Sequence, residues 1–129
     1  MITAKLMASA PARMPVPSPV SPSQVVRELA RVWGRKLTAY AGGAKDSATV
    51  DRWISGDALD SEAVERLRIG FDVTKILLTR EPASLIQAWI TGLNPGLDDR
   101  SPIRLLREEK PTEARVRLIR AAEAFAARG

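Results

Sequence analysis

The sequence predicts an all-α protein. Three observations carry that expectation. Apolar residues recur three and four positions apart in every segment that could be ordered. Helix-start signals (Ser21-Pro22, Asp60, Ser101-Pro102, Pro111-Thr112) alternate with stop signals at Gly34, Gly42-Gly43, Gly56, Gly92 and Asn94-Pro95-Gly96. No segment alternates apolar and polar residues for more than a few positions, so no strand is expected.

The chain opens on residues 1–20, where Pro11, Pro15, Pro17 and Pro19 stand among Ala, Ser and Val. Proline lacks the helix donor and biases its neighbour to extended backbone. The expectation is a disordered or polyproline-like tail. Ser21-Pro22-Ser23-Gln24 then reads as a capping box, with Pro at the first helical position. Val25, Val26, Leu29, Val32 and Trp33 follow at helical spacing, and Gly34 closes the helix. Arg27, Arg31 and Arg35 lie four apart and are expected to form one basic stripe.

A short helix, Leu37 to Ala41, ends at Gly42-Gly43. Asp46 can cap a third helix from Ser47 to Ile54, closed by Gly56. Asp60 caps a longer fourth helix running towards Leu78 or Arg80. Its expected core stripe is Ala63/Val64, Leu67, Phe71, Ile76/Leu77 and Leu78, with Glu62 and Arg66 as a surface pair. Pro82 starts a fifth helix with Leu85, Ile86, Trp89 and Ile90. Ser101-Pro102 opens a short helix with Ile103, Leu105 and Leu106. Pro111-Thr112 opens the last, whose expected inner face is Val116, Ile119, Ala122 and Phe125.

The composition restricts the chemistry. The 129 residues include no Cys and no His. That excludes disulfides, zinc sites built on thiolate or imidazole, and the usual Ser–His and Cys–His nucleophile pairs. No metal, cofactor or enzymatic activity is expected. The net charge is +5. Residues 1–58 carry eight basic and four acidic groups, so +4 of that excess lies in the N-terminal half. A nucleic-acid partner would therefore meet that half. No apolar run reaches membrane-spanning length and no signal-peptide core is evident, so a cytoplasmic location is expected.

Residues 37–56 read LTAYAGGAKDSATVDRWISG. Leu37, Ala39-Tyr40, the run Thr49-Val50-Asp51-Arg52-Trp53 and Gly56 resemble the tri-helical core of the Xre (Cro/C1-type) helix-turn-helix family. Val50 and Trp53 should face the core. Lys45, Ser47, Ala48, Asp51, Arg52 and Ser55 should face outward. Gly42-Gly43-Ala44-Lys45 makes the turn about two residues longer than the tightest form. The resemblance implies that the third helix enters the DNA major groove, with Arg52 against guanine or phosphate and Arg27, Arg31, Arg35, Lys36 and Lys45 on the backbone. Lys45 and Arg52 are matched by Asp46 and Asp51, so that helix is locally neutral. A packing or dimerisation role stays open.

Residues 84–125 read SLIQAWITGLNPGLDDRSPIRLLREEKPTEARVRLIRAAEAF. Trp89, Asn94-Pro95, Leu97, Arg100, Ser101-Pro102, Leu105, Leu106, Val116 and Ile119 resemble the toxin-binding domain of Xre/MbcA/ParS-type antitoxins. The resemblance covers about residues 24–128. Here Gly96-Leu97-Asp98-Asp99-Arg100 stands where a glycine-rich loop is more usual. It implies an N-terminal helix-turn-helix with connecting helix over residues 21–80 and a small helical toxin-binding domain over 81–129. The implied function is antitoxin of a type II toxin-antitoxin module. Its partner would be a RES-domain toxin that consumes NAD or transfers ADP-ribose, and it would autorepress the operon, as a homodimer on operator DNA. The implied toxin contacts are Trp89, Asn94, Leu97, Arg100, Arg104, Arg117, Arg120 and Arg128. Some of these features also have a structural account: Trp89, Leu105, Leu106, Ile119 and Phe125 as core, Asn94 as a turn former, Arg100 as a pair for Asp98 or Asp99. A stand-alone helix-turn-helix regulator whose C-terminal half only dimerises is the competing reading. A pure interaction module is a third.

Overall fold

The computed structural model describes residues 20–128. The described chain is all-helical, in the predicted order: α1 (Pro22–Trp33), α2 (Arg35–Ala41), α3 (Ala48–Ile54), α4 (Ser61–Leu78), α5 (Ala83–Thr91), a 3-10 turn (Pro95–Leu97), α6 (Pro102–Glu108) and α7 (Pro111–Ala126). The Pro-rich tail falls outside the described residues except for Val20. That residue is half-buried against the core, and its carbonyl accepts from Arg68 at 3.0 Å.

The capping signals act as the sequence implies. Ser21 accepts from the Gln24 amide while Gln24 reaches back to the Ser21 amide. Asp60 accepts from the Ala63 amide at 2.8 Å, and Ser101 accepts from the Arg104 amide at 3.3 Å. Asp46 accepts from the Thr49 amide at 3.2 Å, so the side-chain cap of α3 lies one residue before its geometric N-cap, Ser47. Each such bond satisfies an orphan helix donor.

Gly34 has φ +91°, a left-handed value that breaks the chain between α1 and α2. This starts α2 at Arg35 rather than Leu37 and corrects one expectation. Arg27 and Arg31 share α1, but Arg35 belongs to the next helix, so the three do not form one stripe.

α4 lies between two layers. α1 packs on one side and α7 on another, while α5 also crosses α1. Its buried surface is therefore wider than a single stripe. Ala63, Leu67, Phe71 and Leu77 are buried as expected, and so are Ile69, Gly70, Val73 and Thr74. Leu78 is exposed at the helix end, contrary to expectation. The Trp33 indole donates to Thr74 Oγ1 at 2.9 Å, satisfying a buried hydroxyl and pinning α1 to α4.

α7 corrects a second expectation. Its inner face is Ala114, Leu118 and Ala122, four residues apart. Val116 points to solvent, and Ile119 and Phe125 are half-buried at the edge. Two of the three inner residues are alanines, whose small side chains let α7 approach α4 closely. A single apolar cluster runs from Val25 to Ala122. The boundary read near residue 80 falls at the turn between α4 and α5, yet both segments close this one core.

Glu62 and Arg66 do pair, at 2.6 Å, but not as a surface ornament. The Arg66 side chain is only 11% exposed. Its Nη1 donates to the carbonyls of Leu106 and Glu109, the latter at 2.7 Å. Arg66 thus caps the C-terminus of α6 with a largely covered positive charge. Arg107 reaches back from α6 to the Tyr40 carbonyl at 2.8 Å, with its guanidinium 4.5 Å from the Tyr40 ring centre. Gln87 donates from α5 to the Val32 carbonyl at 2.9 Å.

Candidate protein-docking groove and nucleic-acid face

The end of α5, the turn after it and the last two turns of α7 enclose an open groove of about 720 Å³. Trp89 and Phe125 form its floor, with ring centres 5.9 Å apart and planes tilted by 49°. Both are half-buried, because one edge of each ring packs on the core and the other faces the groove. Ala121 and Ala124 form a shelf of small side chains along α7. Asn94, Pro95 and Gly96 form the opposite lip. Arg117, Arg120 and Arg128 line the rim, and no carboxylate lines the groove among the described residues.

The lip is a short closed loop. Asn94 Oδ1 accepts from the Gly96 amide at 2.9 Å. Asn94 also accepts on its backbone oxygen from Leu97 and Asp99, and its amide donates to the Arg100 carbonyl. Asp98 and Asp99 both have φ 60°. The left-handed conformation costs an L-residue energy that glycine does not spend, and aspartate tolerates it better than most. Asp98 gains an ion pair with Arg117 at 3.0 Å. Asp99 gains no such bond. Replacing Asp99 with glycine is expected to stabilise the protein by about 0.5 kcal/mol in urea unfolding. A loss of stability would show that the Asp99 carboxylate holds the loop.

Of the eight residues read as toxin contacts, the structure brings five to this groove: Trp89, Asn94, Arg117, Arg120 and Arg128. Leu97 is 2% exposed and anchors the loop in the core, so it offers no outward contact. Arg100 does not pair with Asp98 or Asp99. It is directed inward to Glu109, at 2.8 Å, because the loop turns its backbone back towards α6. That bond holds the Glu109 carboxyl below the usual carboxylate range. Arg104 is exposed and pairs with Glu108 along α6, away from the groove. The groove also contains Leu93, Ala121, Ala124 and Phe125, which the sequence reading did not place there. Leu93 is 76% exposed. A large apolar residue directly after the Gly92 stop was the available signal.

The N-terminal candidates are placed as follows. Val50 and Trp53 are buried, as predicted. Lys45, Ala48, Asp51 and Arg52 are exposed, and Ser47 is half-buried at the start of α3. Arg35 pairs with Asp51, which sets the start of α2 beside the outward face of α3. Arg31 pairs with Glu28 on its own helix. Arg52 donates to Thr49 Oγ1 at 3.0 Å. Arg27, Lys36 and Lys45 have no ion pair among the described residues. Exposed pairs are worth about 0–1 kcal/mol, so Arg31, Arg35 and Arg52 can be drawn to phosphate at little cost. In the turn, Gly43 has φ +79°, and a Cβ at Gly42 would lie 2.8 Å from the Trp53 ring. The two glycines thus do separate jobs: one turns the chain, the other admits the indole.

No protein-family model, curated protein or solved structure matches the chain. No cluster of His, Cys, Asp and Glu suited to a metal ion occurs among the described residues. No helix among them is long and apolar enough to cross a membrane.

Proposed function

We propose that this chain is the antitoxin of a type II toxin-antitoxin module. It neutralises a RES-domain toxin, one that consumes NAD or transfers ADP-ribose, by occluding the active-site cleft with its C-terminal helices. It represses the shared operon, as a homodimer, through the α2–turn–α3 segment. The chain itself does no chemistry and acts in the cytoplasm. The observation that carries the reading is the groove: an aromatic floor, a small-residue shelf and an arginine rim gather five of the eight residues that the resemblance implies as toxin contacts. Aromatic and arginine side chains are those most often found at the energetic centre of protein interfaces.

The test is co-expression with the product of the neighbouring reading frame. A stable complex and relief of toxin-induced growth arrest are expected, and no complex with a RES-type neighbour would sink the reading. For DNA, wild type and Arg52→Ala are compared on the upstream region at several salt concentrations. Reduced sequence preference in the variant is expected; equal binding to every sequence by both removes Arg52 as a specificity residue.

A second reading is a stand-alone helix-turn-helix regulator whose C-terminal half only self-associates. The exposed Leu93 and Val116 favour it, since a second copy of the chain would cover them. It predicts operator binding without any toxin partner.

A further inference from the structure

We infer that the groove takes an acidic, apolar-anchored segment of the partner protein: one aromatic or aliphatic side chain flanked by carboxylates. This deepens the reading above by naming what the partner presents to this face. It uses the same groove but rests on its own chemistry.

The argument begins with charge. Arg120 has no hydrogen bond or ion pair among the described residues. Arg128 stacks on Phe125, its guanidinium 4.3 Å from the ring centre. That stacking leaves the guanidinium edges free to donate. Arg117 is held by Asp98 at the outer edge. With no carboxylate on the lining among the described residues, two of three guanidiniums lack an anionic partner. Elsewhere the arginines are mostly matched: Arg31 with Glu28, Arg35 with Asp51, Arg66 with Glu62, Arg100 with Glu109, Arg104 with Glu108 and Arg115 with Asp72. Among the described residues, Arg27, Arg52, Arg68, Arg80 and Arg107 also lack a carboxylate, though Arg52, Arg68 and Arg107 donate to other oxygens. At the groove the unmatched guanidiniums adjoin an apolar, aromatic surface.

Shape supplies the second half. The Ala121 and Ala124 shelf lets a peptide backbone approach α7 without steric hindrance. Between the Trp89 and Phe125 rings and the exposed Leu93 there is room for one large apolar side chain. Planar guanidiniums favour bidentate carboxylate pairing over single-point contacts. An apolar anchor alone would leave Arg120 and Arg128 facing apolar surface, which costs energy. A basic segment would be repelled outright.

The experiment selects binders to the full chain from a random 12-residue peptide library displayed on phage. Parallel selections use Ala124→Trp, which fills the groove, and the double variant Arg120→Glu/Arg128→Glu. Circular dichroism and unfolding check that both variants fold. Wild type is expected to enrich peptides in which Asp or Glu flanks Leu, Phe or Trp. The selected peptide, made synthetically, should bind Ala124→Trp and the double variant roughly tenfold more weakly or worse. Its affinity should also fall as salt rises. No enrichment, a neutral or basic consensus, or equal binding by the variants overturns the inference. Competition by free ADP-ribose at the same groove would overturn it too, by showing a nucleotide site. If both variants still neutralise the toxin, the groove assignment fails while the antitoxin reading stands. If acidic peptides bind but no toxin partner exists, the antitoxin reading fails and the groove assignment stands.

Discussion

Replacing Arg66 with alanine is expected to lower the unfolding free energy by about 2–3 kcal/mol. The substitution removes a part-buried guanidinium that donates to the Leu106 and Glu109 carbonyls at the end of α6. Those carbonyls have no intrahelical donor, and Arg66, whose side chain is only 11% exposed, is the donor that reaches them. It also leaves a hole between α4 and α6 where the aliphatic stem lay. Glu62 provides the control. It contacts the same arginine but is 61% exposed, so Glu62→Ala should cost no more than about 0.5 kcal/mol. Urea unfolding of both variants measures the contrast. Equal shifts would mean that Arg66 is only half of a surface pair and that the capping account is wrong.

The second large effect concerns Gly70. In most helix interiors Gly→Ala gains about 1 kcal/mol. Here the added Cβ would stand 2.5 Å from the Trp33 ring. That ring is buried and tethered through its indole N–H to Thr74. Gly70→Ala must displace the indole, strain the α1–α4 contact and weaken the hydrogen bond, for a net loss of about 2–3 kcal/mol. Trp33→Phe removes the part of the ring that collides. In that background the cost of Gly70→Ala should fall sharply or change sign, and a double-mutant cycle reads the coupling. Additive effects would show that Gly70 and Trp33 do not constrain each other.

Arg66 and Gly70 also mark where reading the sequence stops. The i,i+4 spacing of Glu62 and Arg66 is a local signal, and the pair forms. Nothing local says that the arginine continues past Glu62 to the end of a helix forty residues on. Gly70 carries no local signal, since a glycine within a helical pattern looks only like a weak position. Its reason is an indole on α1. The candidate groove behaves likewise. Trp89, Asn94 and the arginines could be singled out from motif and charge. Their meeting with Leu93, Ala121, Ala124 and Phe125 depends on the angle at which α5 and α7 leave the core. Leu97 and Arg100 look equally functional in sequence, yet the Asn94–Arg100 loop turns one into the core and the other onto Glu109.

The sequence by itself determined the all-helical class, the order of the helices and nearly every boundary. Those properties rest on contacts within a few residues: caps, turn glycines and apolar spacing. Only the tertiary structure decided which face of α7 is inner, which arginines are consumed in the fold and which stand free. Those outcomes are set by residues far apart in the chain competing for the same space and the same hydrogen-bond partners.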